Sequence, residues 1–343
     1  MSTLADTRLH SPNLLRHTPL ATFLLIAFIA IPALASPYVI EAILLPFLAL
    51  ALAGVGLNLL TGYGGQVSLG SAAFMAVGAF AAYNIQLRLN LPLPLTILLS
   101  ALTAATVGLI FGLPSLRLRG FYLAVSTLAA QFFVQWALTK FGWFSNYSPS
   151  GVISAPGMTL LGYSLDSTTA RYLLALTLVT LLTLGVWAFT AGPLGNDLIA
   201  IRDNETAAQI IGVPVLKTKL VAFALSSAII GVAGFLWAFT YLRTIEPAGF
   251  DLDRSFDVLF IIIIGGLATL RGAFLGAGLI VVFPLLLSRL SAMAFGGMID
   301  SGVLELVQRI ILGTLIIAFL IAEPNGLAAI LTRVKRRFAR NTL

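Results

Sequence analysis

The chain has 343 residues, of which 59% are hydrophobic and 10% charged, with a formal net charge of +7 and a mean hydropathy of +1.01. Soluble domains carry about 25% charged residues and disordered chains are poor in apolar ones, so a water-soluble enzyme and a disordered chain are both excluded. Cysteine is absent, which excludes disulfides, thiol catalysis and cysteine-ligated metals.

A membrane-crossing helix needs about 20 mostly apolar residues. Such runs lie near 20–36, 39–60, 68–87, 92–113, 120–140, 171–191, 217–241, 256–270, 272–290 and 303–322. The first and eighth are short, and the fifth carries several polar groups. The pattern predicts an all-α polytopic membrane protein of about ten transmembrane helices (eight to ten) with both termini cytoplasmic. A tail at 1–19 then precedes one transmembrane domain at 20–322, and a basic tail follows at 323–343. Most of the 20 Lys and Arg residues fall on the inside in this arrangement, including Arg117, Arg119, Arg202, Lys217, Lys219, Arg271 and the tail from Arg333 to Arg340. That is the asymmetry expected of a cytoplasmic face beside anionic lipid, and it accounts for the positive charge without nucleic acid. Residues 1–36 read in two ways. They form either a retained first span or a signal peptide, with a basic start, an apolar run and Ala33-Leu34-Ala35 as the cleavage site.

Three stretches depart from plain membrane helix. In the first, Gly62, Gly64 and Gly65 permit a sharply turned backbone, followed by Gln66. Ser68, Gly70, Ala72, Ala73 and Ala76 then give a small-residue face that lets helices approach closely. The stretch reads as a hinge or pathway element, or as a connection into a tightly packed helix. The second is the loop 141–170, rich in Gly, Ser, Pro and aromatics, which falls outside; it reads as a cap or docking loop, or as a solvated connection. The third is the inside segment 193–216. Asp197 suits an N-cap, Gly212 a C-terminal stop, and Pro214 prevents continuation. Leu198, Ile201, Ala208 and Ile211 recur at helical spacing between them. The prediction is one short amphipathic helix that lies on lipid or inserts into a groove on a cytoplasmic partner.

Several chemistries are missing. The chain has no GxxxxGK[ST] and no Gly-Lys pair, so it cannot hold ATP through a P-loop. Its two histidines, His10 and His17, sit in the N-terminal tail, away from any intramembrane metal site or proton relay. Glu305 and Arg309, four residues apart in the last span, read as a structural pair first and as a pathway contact second. Gln131 and Gln135, with Ser126 and Thr127 nearby, place amides and hydroxyls on one helix. Hydrogen bonding between helices is the first reading, and lining of a polar path the second. Gly108-x-x-x-Gly112 and Gly272-x-x-x-Gly276 are helix-packing motifs.

Taken in order, five motifs resemble one family. They are Gly62-Tyr-Gly-Gly-Gln-Val-Ser-Leu-Gly-Ser-Ala-Ala-Phe74, Leu113-Pro-Ser-Leu-Arg-Leu-Arg-Gly-Phe-Tyr-Leu-Ala124, Ala200-Ile-Arg-Asp-Asn-Glu-Thr-Ala-Ala-Gln-Ile-Ile-Gly212, Ile264-Gly-Gly-Leu-Ala-Thr-Leu-Arg-Gly-Ala-Phe-Leu-Gly276 and Glu323-Pro-Asn-Gly-Leu327. The family is the inner-membrane permease subunit of bacterial branched-chain amino-acid ABC transporters, in its longer M-type form. The resemblance covers roughly 40–330. It implies a multi-pass transport subunit that is not itself an enzyme and binds no cofactor. Its implied partners are a second permease, two ATP-binding subunits that hold ATP and Mg²⁺, and a periplasmic binding protein. It further implies that Arg202, Asp203, Asn204, Glu205, Ala207, Ala208 and Gly212 belong to the loop that inserts into the ATPase. Glu205-x-Ala-Ala-x-x-x-Gly212 is similar to the broader ABC permease loop motif, with one extra residue after the Glu. Ser71 stands where many members carry a larger polar residue, and urea and amide permeases share the same signatures.

Two other classes compete. A self-sufficient secondary transporter should show intramembrane acids for ion coupling or broken helices in two matching halves, and only a weak likeness links 68–80 with 271–283. A membrane enzyme should show a cluster of nucleophile, acid/base or metal ligands, and the sequence offers none.

Overall fold

A computed structural model of the chain describes residues 24–115, 121–160, 162–295, 301–323, 326–330 and 333. The N-terminal tail with its two histidines, the start of the first run, Arg117, Arg119 and about two thirds of the basic tail lie outside the described residues. Helices stand at all ten apolar runs. A first helical stretch, Ile26–Ala30 and Ile31–Leu34, ends where Ala35 and Ser36 become extended. Pro37, whose missing N–H is no loss at a helix start, then opens α1 (Pro37–Tyr63). Next come α2 (Ser71–Leu89), α3 (Leu93–Ser115), α4 (Phe121–Lys140) and α5 (Thr168–Ala191). Two short helices follow, α6 (Pro193–Asp203) and α7 (Glu205–Ile210), and lead to α8 (Val215–Leu242). The chain closes with α9 (Leu252–Gly265), α10 (Leu270–Phe295) and α11 (Ser301–Ala322).

Among the described residues five helices, α1, α3, α5, α8 and α10, are long and apolar enough to cross a membrane. The run expected at 256–270 is broken. Gly266, with φ of 120°, ends α9 after 14 residues. At 1.5 Å per residue α9 is about 21 Å long, short of the roughly 30 Å of a bilayer's hydrocarbon.

α1 and α8 form the centre of the bundle, with most of their surface buried. Small residues allow the others to close on them. A Cβ on Gly234 of α8 would stand 1.9 Å from the Met75 carbonyl oxygen of α2, and one on Gly78 would stand 2.1 Å from that of Gly231. Gly108 and Gly112 of α3 face Ser227 and Phe223 of α8, while Gly276 of α10 faces the Ile261 backbone of α9. Both GxxxG motifs are therefore packing seams. Large apolar side chains such as Leu98, Phe132, Trp136, Leu181, Leu306 and Ile310 point outward, the reverse of a soluble protein and suited to lipid.

The loop 141–170 is docked rather than solvated. Two short antiparallel pairs shape it: β1 (Ile153–Ser154) with β4 (Thr244–Ile245), and β2 (Thr159–Leu160) with β3 (Tyr163–Ser164). Asn84, Gln86 and Arg88 at the end of α2 donate to the carbonyls of Phe144, Gly157 and Trp143. Arg243 pairs with Asp166 at 3.1 Å. Because β4 follows α8 and α7 precedes it, the loops 141–170 and 193–216 sit at opposite ends of a helix about 42 Å long.

The glycine seams can be tested by thermal unfolding of the purified chain in detergent. Gly234→Ala forces a methyl into backbone and should cost about 2 kcal/mol or more. Gly185→Ala, where nothing lies within 4 Å, should change stability by less than about 1 kcal/mol.

Candidate functional site

The segment 193–216 is two helices, not one. Gly192 is the N-cap of α6 and Pro193 its first residue, so Asp197 lies inside the helix. The break comes at Asn204, whose extended backbone ends α6 and whose side chain accepts from the Ala207 N–H at 3.0 Å to start α7. Gly212, at φ +91°, stops α7 as expected: its N–H donates to the Gln209 carbonyl, and that of Val213 donates to Ala208.

This break redistributes the apolar stripe. Leu198, Ile201 and Ala208 are turned into the protein, at 0%, 4% and 2% exposed, whereas Ile211 is 75% exposed and Ile210 80%. Ala208 therefore packs within the chain and presents nothing to a partner. Lys219 of α8 pairs with Glu205 at 2.9 Å and holds α7 in place. The outward surface is Ile210 and Ile211, with Leu216 and the exposed Ala207 nearby.

α6 is fixed to the glycine-rich stretch. Arg202 donates through Nη1 to the Gly62 carbonyl at 3.1 Å, and through Nε and Nη2 to Asp203. Its stem crosses Gly65, where a Cβ would stand 2.8 Å from Arg202 Cγ and where φ is +65°; glycine is required there on both counts. Gly62 is required too, since a Cβ would meet Asn58 Oδ1 at 2.0 Å and the Ala268 nitrogen at 2.4 Å. Asn58, fully buried, accepts from the Ala268 N–H and donates to the Thr269 carbonyl. Gly326 lies against Gly266. Four of the five motifs thus meet at one end of the bundle. The stretch 113–124 is only partly described and shows no such contact.

Beyond this junction the chain rises through residues 64–70 to the start of α2, whose first amides are taken by side chains. The Leu69 N–H donates to Thr127 Oγ1 at 2.9 Å, that of Ala72 to Ser255 Oγ at 2.9 Å, and that of Ala73 to Gln131 Oε1 at 2.6 Å. Gln131 also donates to the Phe250 carbonyl and accepts from Ser255. Of the four polar residues singled out on α4, Thr127 and Gln131 are therefore interhelical ties. Ser126 and Gln135 are half-buried and lie outside this knot. Ser68 is buried beside Gly70, whose N–H it accepts. Gly64 lies against the Leu60 carbonyl. The Gln66 amide is buried with no partner among the described residues, although its backbone bonds to Leu60 and Thr61.

Sequence reasoning missed Asn58 and Ser255, and the signal for Asn58 was a lone amide inside an otherwise apolar run. It also missed an ion pair at the other end. Arg171, 5% exposed, reaches Glu41 of α1 and the Thr240 carbonyl of α8, tying three helices. Arg309 pairs with Asp253 of α9 at 2.7 Å, and the side chain of Glu305, its expected partner, is not among those described.

A bundle with an apolar exterior, a buried polar seam and a helical elbow at one end defines a multi-pass membrane protein of the transport class. Residues 39–330 match the branched-chain amino acid transport system / permease component family, and the chain belongs to it. The high-affinity branched-chain amino acid transport system permease protein LivM of Escherichia coli (strain K12) is 29% identical over 327 residues, covering 89% of this chain and 73% of that protein. Its counterpart in Salmonella typhimurium (strain LT2) is 29% identical over 297 residues, covering 80% of this chain and 66% of the relative. The autoinducer 2 import system permease protein LsrC of an Enterobacter species (strain 638) is 27% identical over 219 residues, covering 62% of this chain and 60% of the relative. No solved structure matches the chain.

The two glutamines of α4 should separate in a stability assay. Gln131→Leu strands the Ala73 N–H and the Phe250 carbonyl in the interior, and should lower stability by about 2–4 kcal/mol. Gln135→Leu, half-buried and outside the knot, should stay within about 1 kcal/mol of the parent in thermal unfolding.

Proposed function

We propose that this chain is the membrane-spanning permease subunit of an ABC importer in the bacterial inner membrane, carrying branched-chain or related amino acids. In this reading a second permease completes the pathway, two further subunits bind ATP and Mg²⁺, and a periplasmic binding protein delivers the substrate. The observation that carries it is the elbow α6–α7. It is short, offers two exposed isoleucines at its tip, and is bonded through Arg202 to the glycine-rich stretch that starts α2. An element that must transmit force needs an apolar tip for its partner and a stiff link behind it, and this one has both.

The same reading puts about ten spans across the membrane, with both termini and the elbow in the cytoplasm and the loop 141–170 outside. Single cysteines at Asn196 and Ser150, both exposed, should react with an impermeant maleimide from opposite sides. Labelling of both from one side overturns the topology.

The coupling role is tested at the tip. In Ile210→Asp with Ile211→Asp, two apolar side chains are lost from the interface, each worth about 1.5–3 kcal/mol if fully covered. Membrane insertion should be normal. Co-purification of the ATP-binding subunits should fall by more than about tenfold, with ATP-driven leucine uptake lost. Undiminished binding and uptake would show that the elbow does not couple the permease to an ATPase.

A further inference from the structure

α8 and α9 bring an arginine against a tryptophan one turn into α9. The Arg254 guanidinium carbon lies 4.1 Å from the centre of the Trp237 ring, and Arg254 Nη1 donates to Asp257 Oδ2 at 3.1 Å. Among the described residues, neither the Nε–H of Arg254 nor the indole N–H of Trp237 has a hydrogen-bond partner. Both atoms are sealed from solvent, and Trp237 as a whole is 5% exposed. Buried donors are almost always paired, so two orphans on stacked groups leave a pair of donors open to an acceptor from outside the described residues.

The chemistry of the pair defines that partner. Both groups can only donate, so the ligand must accept. A planar guanidinium edge beside an N–H suits a carboxylate. The amide of Arg254 is capped by Asp251 at the start of α9, and the positive end of a helix dipole favours an anionic group there. Asp257 adds a carboxylate in direct contact with the same guanidinium, a counterpart for an ammonium. A site with both signs in contact fits a zwitterion. An uncharged amide such as urea would offer the two N–H donors a carbonyl but no negative charge.

The position fits as well. α9 starts toward the end that carries β4 and the loop 141–170, and it finishes at the turn held by Asn58. The pair therefore stands on the side away from α6 and α7. Ser255, the next residue of α9, bonds to both Ala72 and Gln131, so a ligand on Arg254 acts on the helix that carries the α2 knot.

We propose that Arg254 and Trp237 form a subsite for the carboxylate of an α-amino acid in transit. The proposal rests on the permease reading and names the side chains that would meet its substrate. It is tested by binding alone, with the full-length chain in lipid nanodiscs and labelled L-leucine in a scintillation proximity assay. Saturable binding is expected, competed by leucine and not by isoamylamine, which lacks the carboxylate. Arg254→Gln should weaken leucine binding by about tenfold or more. Trp237→Phe keeps a smaller aromatic ring under the guanidinium and removes the N–H together with the rest of the five-membered ring; it should weaken binding about threefold to tenfold. If Arg254→Gln does not fold, Trp237→Phe decides. Unchanged affinity in the folded variants, competition by isoamylamine equal to that by leucine, or no saturable binding by the parent chain overturns the subsite. ATP-driven uptake does not enter this assay, so an importer that transports leucine while its variants bind normally refutes the subsite and leaves the permease reading intact.

Discussion

The Gly62 carbonyl accepts from Arg202 while Asn58, one turn earlier in α1, holds the backbone of Ala268 and Thr269 with both ends of its amide. These bonds require backbones to approach more closely than any side chain allows. A Cβ at Gly62 would collide with Asn58 itself and with Ala268. One at Gly65 would collide with the stem of Arg202. The elbow α6–α7, the end of α1 and the α9–α10 turn are consequently held as one unit. The elbow's other side is fixed to α8 by the ion pair of Lys219 with Glu205, so the exposed tip of α7 is linked to both central helices.

The bundle's interior divides into two kinds of seam with different mechanical character. Where α2, α3 and α8 cross, glycine lets backbones touch, and the contact is apolar, close and intolerant of sliding. Where α2 begins, the contact is polar: Thr127, Gln131 and Ser255 take amides that a helix start leaves unpaired. Hydrogen bonds between membrane helices are individually modest, about 0.6–2 kcal/mol. A seam of that kind can be exchanged for another set of partners at small net cost, whereas the glycine crossings cannot. The unpartnered amide of Gln66, in the same stretch, is an unused pair of donor and acceptor at the seam.

What was legible in the sequence follows from the same physics. Apolar runs of fixed length are imposed by the bilayer, so the helices are found within a few residues of where hydropathy puts them, and Gly212 ends α7 where glycine's access to positive φ predicts. The elbow was misread as a single helix because Asp197 and Asn204 are both good caps, and only packing chooses between them. With the break at Asn204, the stripe through Ala208 turns inward and leaves Ile210 and Ile211 outside. Periodicity gives the faces of one helix and says nothing about a kink. Convergence of the motifs was not legible at all: Gly62, Arg202, Ala268 and Gly326 are distant in sequence, and each alone reads as a turn or a charge. The roles of Thr127 and Gln131 were open for a similar reason. A polar residue in a membrane helix must find a partner, and sequence does not say whether that partner is a neighbouring amide or a passing substrate.

Four π-helical stretches lie among the described residues, one at Ile26–Ala30 and three in the central helices, and the positions of these three argue for where the bundle yields. α1 has one at Ile40–Leu44 and another at Leu59–Tyr63, and α8 ends in one at Leu236–Leu242. Such turns insert a residue into the α ladder and are common at functional sites. In α1 the second leads directly into the glycine-rich stretch, next to Arg202. The first carries Glu41 and the α8 turn carries Thr240, both bound by the buried Arg171. The two central helices are thus clamped to each other through α5 at one end and joined to the elbow at the other. Between those fixed points lie the start of α2 and the start of α9, joined by side-chain hydrogen bonds. In the proposed coupling role, force delivered at the elbow would meet a clamp far away and a polar seam nearby. The seam, not the clamp or the glycine crossings, is where a change of conformation meets the least resistance.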